Sequence, residues 1–261
     1  VIAAQRRQLI LESVRADGAV AITSLARRLE TSAVTVRRDL DYLDSAGLLT
    51  RTHGGAIAGP PSRESPYAEK AGQAMSEKRA IGLLAAGLVH DGDVIIVGPG
   101  TTTEALAGQL HDRTGLTIIT NSLPVAEAFV GSVENQVIMT GGTLRAPILA
   151  LVGETTNRTL RGIHADSTFL SGNGLVADFG LSTPNLTVAD ADRAMAAAGN
   201  RVVVLADHTK VGIRSAIQTV ATESIAHLVT DAAAPAEQLD AFSARGVMVH
   251  IAPAAGLLDT I

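Results

Sequence analysis

Through residue 45 the apolar positions recur at helical spacing, whereas beyond residue 93 they come in short continuous runs. Residues 3–16 predict a first helix with Leu9, Ile10 and Val14 on its apolar face, ended by Asp17-Gly18. A short apolar stretch, 19–22, follows. Thr23 or Ser24 can cap a second helix over "LARRLE" (25–30), where Leu25 and Leu29 share a face. Glu30-Thr31 reads as a turn. Ser32 then caps a third helix that runs to about Ser45 and turns Val36, Leu40 and Leu43 inward, with Gly47 as its stop.

The pattern then breaks. "IAGPPSRESPYAEKAGQ" (57–73) is rich in Pro, Gly and Ser and has no period, so it reads as a linker. Strand patterns follow at 93–98, 116–120, 136–141, 167–172, 201–207, 227–231 and 247–252. Helical stretches lie near 76–89, 102–111, 123–130, 152–160, 188–199 and 235–244. Continuous β-branched runs such as "DVIIVG" and "RVVVLAD" suit strands covered on both faces. The expected organisation is a mainly helical unit at 1–57, a linker at 58–75, and an α/β unit with a mostly parallel sheet at 76–261.

Charge divides along the same line. Residues 1–57 carry eight Arg against six acids, about +2, inside a chain whose net charge is -5. A basic head on an acidic body suggests separate partners. The chain has no Cys, which excludes disulfides and thiolate metal sites. Its seven His show no metal-ligand spacing, and no metal or cofactor is expected. With 2% aromatic residues, base stacking on single strands is a poor fit. No signal-peptide core or membrane-length apolar run is present, so no membrane partner and a cytoplasmic location are expected.

The third helix carries the first candidate chemistry. With Val36 and Leu40 turned inward, Arg37 and Arg38 point outward beside Thr35, after the Ser32 cap. Paired arginines on a helix are often a solvated face. Here they sit in the amino-terminal half of a helix placed like the recognition helix of a helix-turn-helix, where Arg can read guanine edges or clamp phosphates. "GLLTRTHGGA" (47–56) adds Arg51 and His53 on an extended segment that reads as a hairpin wing. Together these residues resemble the DNA-binding signature of the DeoR family of bacterial transcription regulators, most closely in "TVRRDLDYL" and the wing. The resemblance implies a winged helix that contacts double-stranded operator DNA.

The second unit gathers small polar residues after its strands: Gly98–Thr103, Asn121-Ser122, Gly141–Thr143, Gly172–Gly174 and Asp207–Lys210. All fall at carboxyl ends, the edge where open α/β sheets bind ligands. Gly100, Thr101 and Thr102 open a helix and offer hydroxyls and N–H groups to an anion. Lys occurs only at 70, 78 and 210, and Lys210 is read either as a solvated loop residue or as a cation for a phosphate or sugar oxygen. Asn121, Ser122, Gly142 and Asn173 complete the candidate effector set. "GPGTTTEALAGQL", "TNSLPVAEAF", "MTGGTLR", "LALVGE" and "LADHTKVG" resemble the sensor unit of the same family. That resemblance implies a fold like sugar-phosphate isomerases and a phosphorylated-sugar effector. The family often has an acid two positions before the glycine of its Gly-Thr-Thr loop; here Gly98 stands there.

The expected function is a transcriptional regulator, a repressor of a carbohydrate operon, acting as a homodimer or homotetramer because two heads read two half-sites. The alternative is a sugar-phosphate isomerase-like enzyme with an appended DNA-binding head, with Asp207, His208 and Asp178 as the remaining acid–base candidates.

Overall fold

The computed structural model describes residues 3–45, 49–52, 54–58 and 66–254. The chain divides between Ser65 and Pro66 into two compact units.

The first unit contains α1 (Ala3–Asp17), β1 (Ala19–Ala21), α2 (Ile22–Arg28), α3 (Ala33–Ser45), β2 (Leu49–Arg51) and β3 (Gly55–Ala58). Ile10, Val14, Leu25, Val36, Leu40 and Leu43 form its buried centre. Each such side chain contributes roughly 1.5–3 kcal/mol on leaving water. Leu9, expected on that face, is 40% exposed; Leu11 is buried instead. The expected hydroxyl cap on α2 is also corrected. β1 pairs with β3 and runs straight into the helix, so Ala21 is the cap residue. The Ile22 N–H donates to the Gly54 carbonyl at 2.9 Å, which leaves Thr23 and Ser24 no capping role.

The second unit begins with α4 (Tyr67–Ala71) and α5 (Met75–Ala86), followed by β4 (Val94–Val97), α6 (Thr101–Ala107), β5 (Thr117–Thr120), α7 (Leu123–Ala128) and β6 (Gln136–Met139). A hairpin of β7 (Thr143–Arg145) and β8 (Ala150–Val152) leads to α8 (Glu154–Leu160) and β9 (Ser167–Leu170). Next come β10 (Gly174–Val176), β11 (Gly180–Thr183), α9 (Leu186–Ala198), β12 (Val202–Leu205) and β13 (Ile217–Val220). β14 (His227–Asp231), α10 (Ala236–Ser243) and β15 (Met248–Ala252) complete the described order.

Seven strands form one parallel sheet in the order β15-β14-β12-β9-β4-β5-β6. Alternation along β4 builds two cores. Ile95 and Val97 join Ile81, Leu106 and Phe129, while Ile96 joins Leu170, Met195 and Phe242. Helices α5, α6 and α7 therefore cover one face, and α8, α9 and α10 the other. The α5–α6 approach is tight. A Cβ added to Gly82 would lie 2.6 Å from the Ala105 carbonyl carbon and oxygen.

Three features depart from the sequence pattern. Residues 67–71, read as part of a linker over 58–75, form α4, and Tyr67 donates a short hydrogen bond to Glu104 on α6. Val152, read as the start of a helix, instead pairs with Thr143 in the hairpin. β10, β11 and β13 form a separate antiparallel sheet whose strands, three or four residues long, are too short to show a period.

Candidate functional site

In the first unit α3 is capped as its sequence implies. The Ser32 hydroxyl accepts from the Thr35 N–H at 3.1 Å and lies 2.9 Å from the Thr35 hydroxyl. Arg37 and Arg38 are exposed, and among the described residues neither makes an ion pair. Arg51 on β2 is placed differently from a free wing tip. Its guanidinium pairs with Asp41, and its N–H donates to Asp44, both on α3. This fastens β2 to α3 and uses part of the arginine's charge. His53 lies outside the described residues.

A clamp that the periodicity did not reveal holds α3 in place. Asp39, almost wholly buried, accepts from Arg6 Nε at 2.5 Å and Arg7 Nε at 2.9 Å on α1. Arg7 also lies 3.7 Å from the centre of the Tyr42 ring. These pairings leave Arg37 and Arg38 as the outward cations of α3.

In the second unit the chain runs outward from β4 through β5 to β6, returns to β9 beside β4, and then runs the other way through β12, β14 and β15. The sheet's switch point lies between β4 and β9. Their following loops meet there, at the carboxyl edge of the sheet where open α/β folds take ligands. The Gly98 N–H donates to the Phe169 carbonyl, and a Cβ on Gly100 would sit 3.2 Å from Ser171 Cβ. Gly100 has φ +151°, so this close crossing favours glycine. The next loop is joined on: the Leu175 N–H donates to the Lys210 carbonyl at 3.0 Å. The segments 98–103, 171–175 and 207–212 are thus contiguous.

The candidate residues behave unequally. Thr101 and Thr102 are buried at the start of α6. Asn121 is buried; its amide donates to the Leu151 carbonyl, while its Oδ1 has no hydrogen-bond partner among the described residues. The Asn173 Oδ1 accepts from the Thr183 hydroxyl at 3.3 Å. Ser122 is the cap of α7 and accepts from the Val125 N–H, so its hydroxyl has a structural task. Gly142 is explained by packing, because a Cβ there would lie 2.3 Å from Thr156 Oγ1. Lys210 is half-buried, and its Nζ donates to the neighbouring Thr209 hydroxyl at 3.0 Å. At Gly98 a Cβ would meet Leu170 Cδ2 at 2.7 Å and Met195 Cε at 3.4 Å, so apolar side chains close that corner.

Behind this edge Asp207, an acid–base candidate in the sequence, is paired with Lys78, which the sequence did not single out. Lys78 is 5% exposed and Asp207 1% exposed, with Nζ 3.7 Å from Oδ2. Burial lowers the Lys78 pKa below its ordinary value against the opposing pull of Asp207, and Lys210 lowers it further. The available signal was position: Lys78, Ile81, Gly82 and Ala85 stand at i, i+3, i+4 and i+7, which places a lysine on the buried stripe of α5. Asp190 and Asp192 lie in the second turn of α9, whose cap is Asn185.

A helical head with a β wing and outward arginines, followed by a parallel α/β unit with a polar carboxyl edge, defines a winged-helix DNA-binding regulator with a sensor unit. Residues 6–59 match the family model of the DeoR-like helix-turn-helix domain, and residues 73–232 match the DeoR C-terminal sensor domain. The chain belongs to the DeoR family of transcriptional regulators. It is 34% identical to the HTH-type transcriptional regulator GlpR of Haloferax volcanii, over 95% of this chain and 98% of that protein. It is 33% identical to the transcriptional repressor AccR of Agrobacterium fabrum, over 87% and 88%. It is 35% identical to a lactose phosphotransferase system repressor of Staphylococcus aureus, over 80% and 84%. Among solved structures it is similar to ribose 5-phosphate isomerase A of Methanocaldococcus jannaschii, at 18% identity and a TM-score of 0.38, over 51% of this chain and 53% of that one. Among the described residues no helix is long and apolar enough to cross a membrane.

Proposed function

We propose that this regulator is a cytoplasmic repressor of a carbohydrate operon, that it binds its operator as a homodimer or homotetramer, and that a phosphorylated sugar controls it. The observation that carries this reading is the convergence of the loops after β4, β9 and β12 at the switch point, bordered by Lys210. The unpartnered Oδ1 of buried Asn121, at the end of the adjacent β5, is a second polar feature of that edge. Relatives named as repressors, lactose phosphotransferase system repressors among them, support the regulatory direction. Ser32, Thr35, Arg37, Arg38 and Arg51 are assigned to DNA; Gly100, Thr101, Thr102, Asn121, Asn173 and Lys210 to the effector. Because Leu170 and Met195 fill the corner at Gly98, recognition of sugar hydroxyls falls to the other loop ends.

The enzyme alternative is weaker, because its candidate groups have other tasks. Asp207 binds Thr209 and faces Lys78, His208 is paired with Asp231, and Asp178 is exposed. The test is a thermal-shift screen of the full chain with glucose 6-phosphate, fructose 6-phosphate and ribose 5-phosphate, followed by product analysis. A shift without turnover is expected. Lys210→Ala should weaken the responding compound by about 1.5–3 kcal/mol, the worth of a charged hydrogen bond. Turnover abolished by Asp207→Ala would overturn the regulator-only reading. Absence of any shift would remove the sugar-phosphate assignment.

A further inference from the structure

The segment 66–74, with which the second unit begins, is held at two points, and both lead to the effector edge. Lys78 Nζ donates to the Lys70 carbonyl at 2.6 Å and, at shorter range, to the Gln73 carbonyl. The same Nζ faces Asp207 Oδ2 across 3.7 Å. The other carboxylate oxygen, Oδ1, accepts from the Thr209 N–H at 3.0 Å and from the Thr209 hydroxyl by a short hydrogen bond. Lys210 Nζ in turn donates to that hydroxyl at 3.0 Å. A continuous polar chain therefore runs from Lys210, through Thr209, Asp207 and Lys78, to the backbone of 66–74. A second tie joins the segment to α6, where the Tyr67 hydroxyl donates to Glu104 three residues beyond Thr101.

We propose that Lys78 is a positioning residue that couples the loop after β12 to the segment 66–74, and through it to the chain leading from the DNA-binding unit. The proposal rests on the assignment of the effector edge made above. Lys78 touches no effector in this scheme. It acts because its ammonium is shared between two backbone carbonyls and one carboxylate. An anion that draws Lys210 away from Thr209 releases the Thr209 hydroxyl, and Asp207 then loses or redirects one of the bonds that orient it. The ion pair and the two carbonyl hydrogen bonds use one Nζ, so a shift of Asp207 changes how tightly Lys70 and Gln73 are held. The same anion also removes the repulsion that Lys210 exerts on Lys78. At Lys78 and Asp207, 5% and 1% exposed, burial strengthens the effect because water has little access to replace a missing partner, whereas Thr209 is exposed and open to an incoming anion. Such a contiguous network becomes a coupling pathway only when perturbing one end is felt at the other.

The experiment compares full-chain wild type, Lys78→Met, Asp207→Asn and the double variant; both changes are close to isosteric. Hydrogen–deuterium exchange is read on amides in 66–74, where Lys70 and Gln73 donate to Pro66 and Lys70 carbonyls. Operator affinity is read on DNA selected from a random pool by the wild type, with and without whichever of glucose 6-phosphate, fructose 6-phosphate and ribose 5-phosphate shifts its melting. Each single change should speed exchange in 66–74 at least tenfold, and the double change should add little to either. In Lys78→Met the sugar phosphate should still bind within threefold of wild type. Its effect on operator affinity, ordinarily about 5–150-fold for such couplings, should fall below twofold. Unchanged exchange in either single variant overturns the coupling. An intact operator response in Lys78→Met overturns it as well, and reduces Lys78 to a packing role while the effector assignment stands. If none of the three compounds binds the wild type, the effector assignment falls and the coupling with it.

Discussion

Replacing Asp39 by Asn tests whether the clamp under α3 holds the DNA-binding unit together. The carboxylate is 3% exposed and accepts from two guanidinium groups, at 2.5 and 2.9 Å. Breaking a fully buried ion pair costs about 3–5 kcal/mol, mostly from the charge left without a partner. Here the groups that lose the carboxylate are Arg6 and Arg7, with side chains 15% and 30% exposed, and both can regain some water. Asn keeps one acceptor oxygen but turns an amino group toward the other arginine. The expected loss is therefore below the full figure, about 2–3 kcal/mol. In a unit of this size each kcal/mol is worth roughly 4–8 °C in Tm. The assay uses the distribution of the two tyrosines: Tyr42 lies in the first unit and Tyr67 in the second. A chain labelled with 3-fluorotyrosine gives one fluorine resonance for each, so urea unfolding of the two units is read separately. Asp39→Asn should lower the midpoint for Tyr42 and leave that for Tyr67 in place. A loss under about 0.5 kcal/mol, the range of an ordinary surface change, would refute the clamp. Equal displacement of both resonances would refute its confinement to the first unit.

Three further outcomes are expected. Arg37→Ala with Arg38→Ala should weaken binding to selected DNA by roughly 1–3 kcal/mol for each arginine that reads a base edge, measured by fluorescence anisotropy; wild-type affinity in the double variant would count against α3 as the recognition helix. Gly82→Ala gains helix propensity but drives a methyl group into the Ala105 backbone. Overpacking should win, destabilising the second unit by about 1–3 kcal/mol; a rise in its melting temperature would show that α5 and α6 part more easily than their close approach implies. His227 titrates below its ordinary value because of burial first, then His250 and Arg201. The unfolded chain therefore takes up that proton first as pH falls, so the stability His227 contributes is full above about pH 6.5 and is lost as pH drops through its lower folded value. Calorimetry between pH 7.5 and 5.5 should show a steeper fall for wild type than for His227→Gln; parallel curves would contradict this.

The sequence by itself determined the two-unit plan, the capped third helix with outward arginines, and the parallel sheet with polar residues at its carboxyl edge. These follow from local rules: helical spacing turns Val36, Leu40 and Leu43 inward, and strands such as Val94–Val97 are apolar on both faces because helices cover both. Tertiary structure decided what those rules do not encode. Ala21 replaced a hydroxyl as the cap of α2 because a strand pairing delivered the Gly54 carbonyl to Ile22. Arg51 turned back to Asp41, and Ser122 and Gly142 proved to serve a helix cap and close packing. Lys78 and Asp207 stand far apart in the chain, and neither residue announces the other. Only the order of the strands brings the end of β12 to α5, where burial removes competing water and makes one lysine the common partner of a carboxylate and two backbone carbonyls.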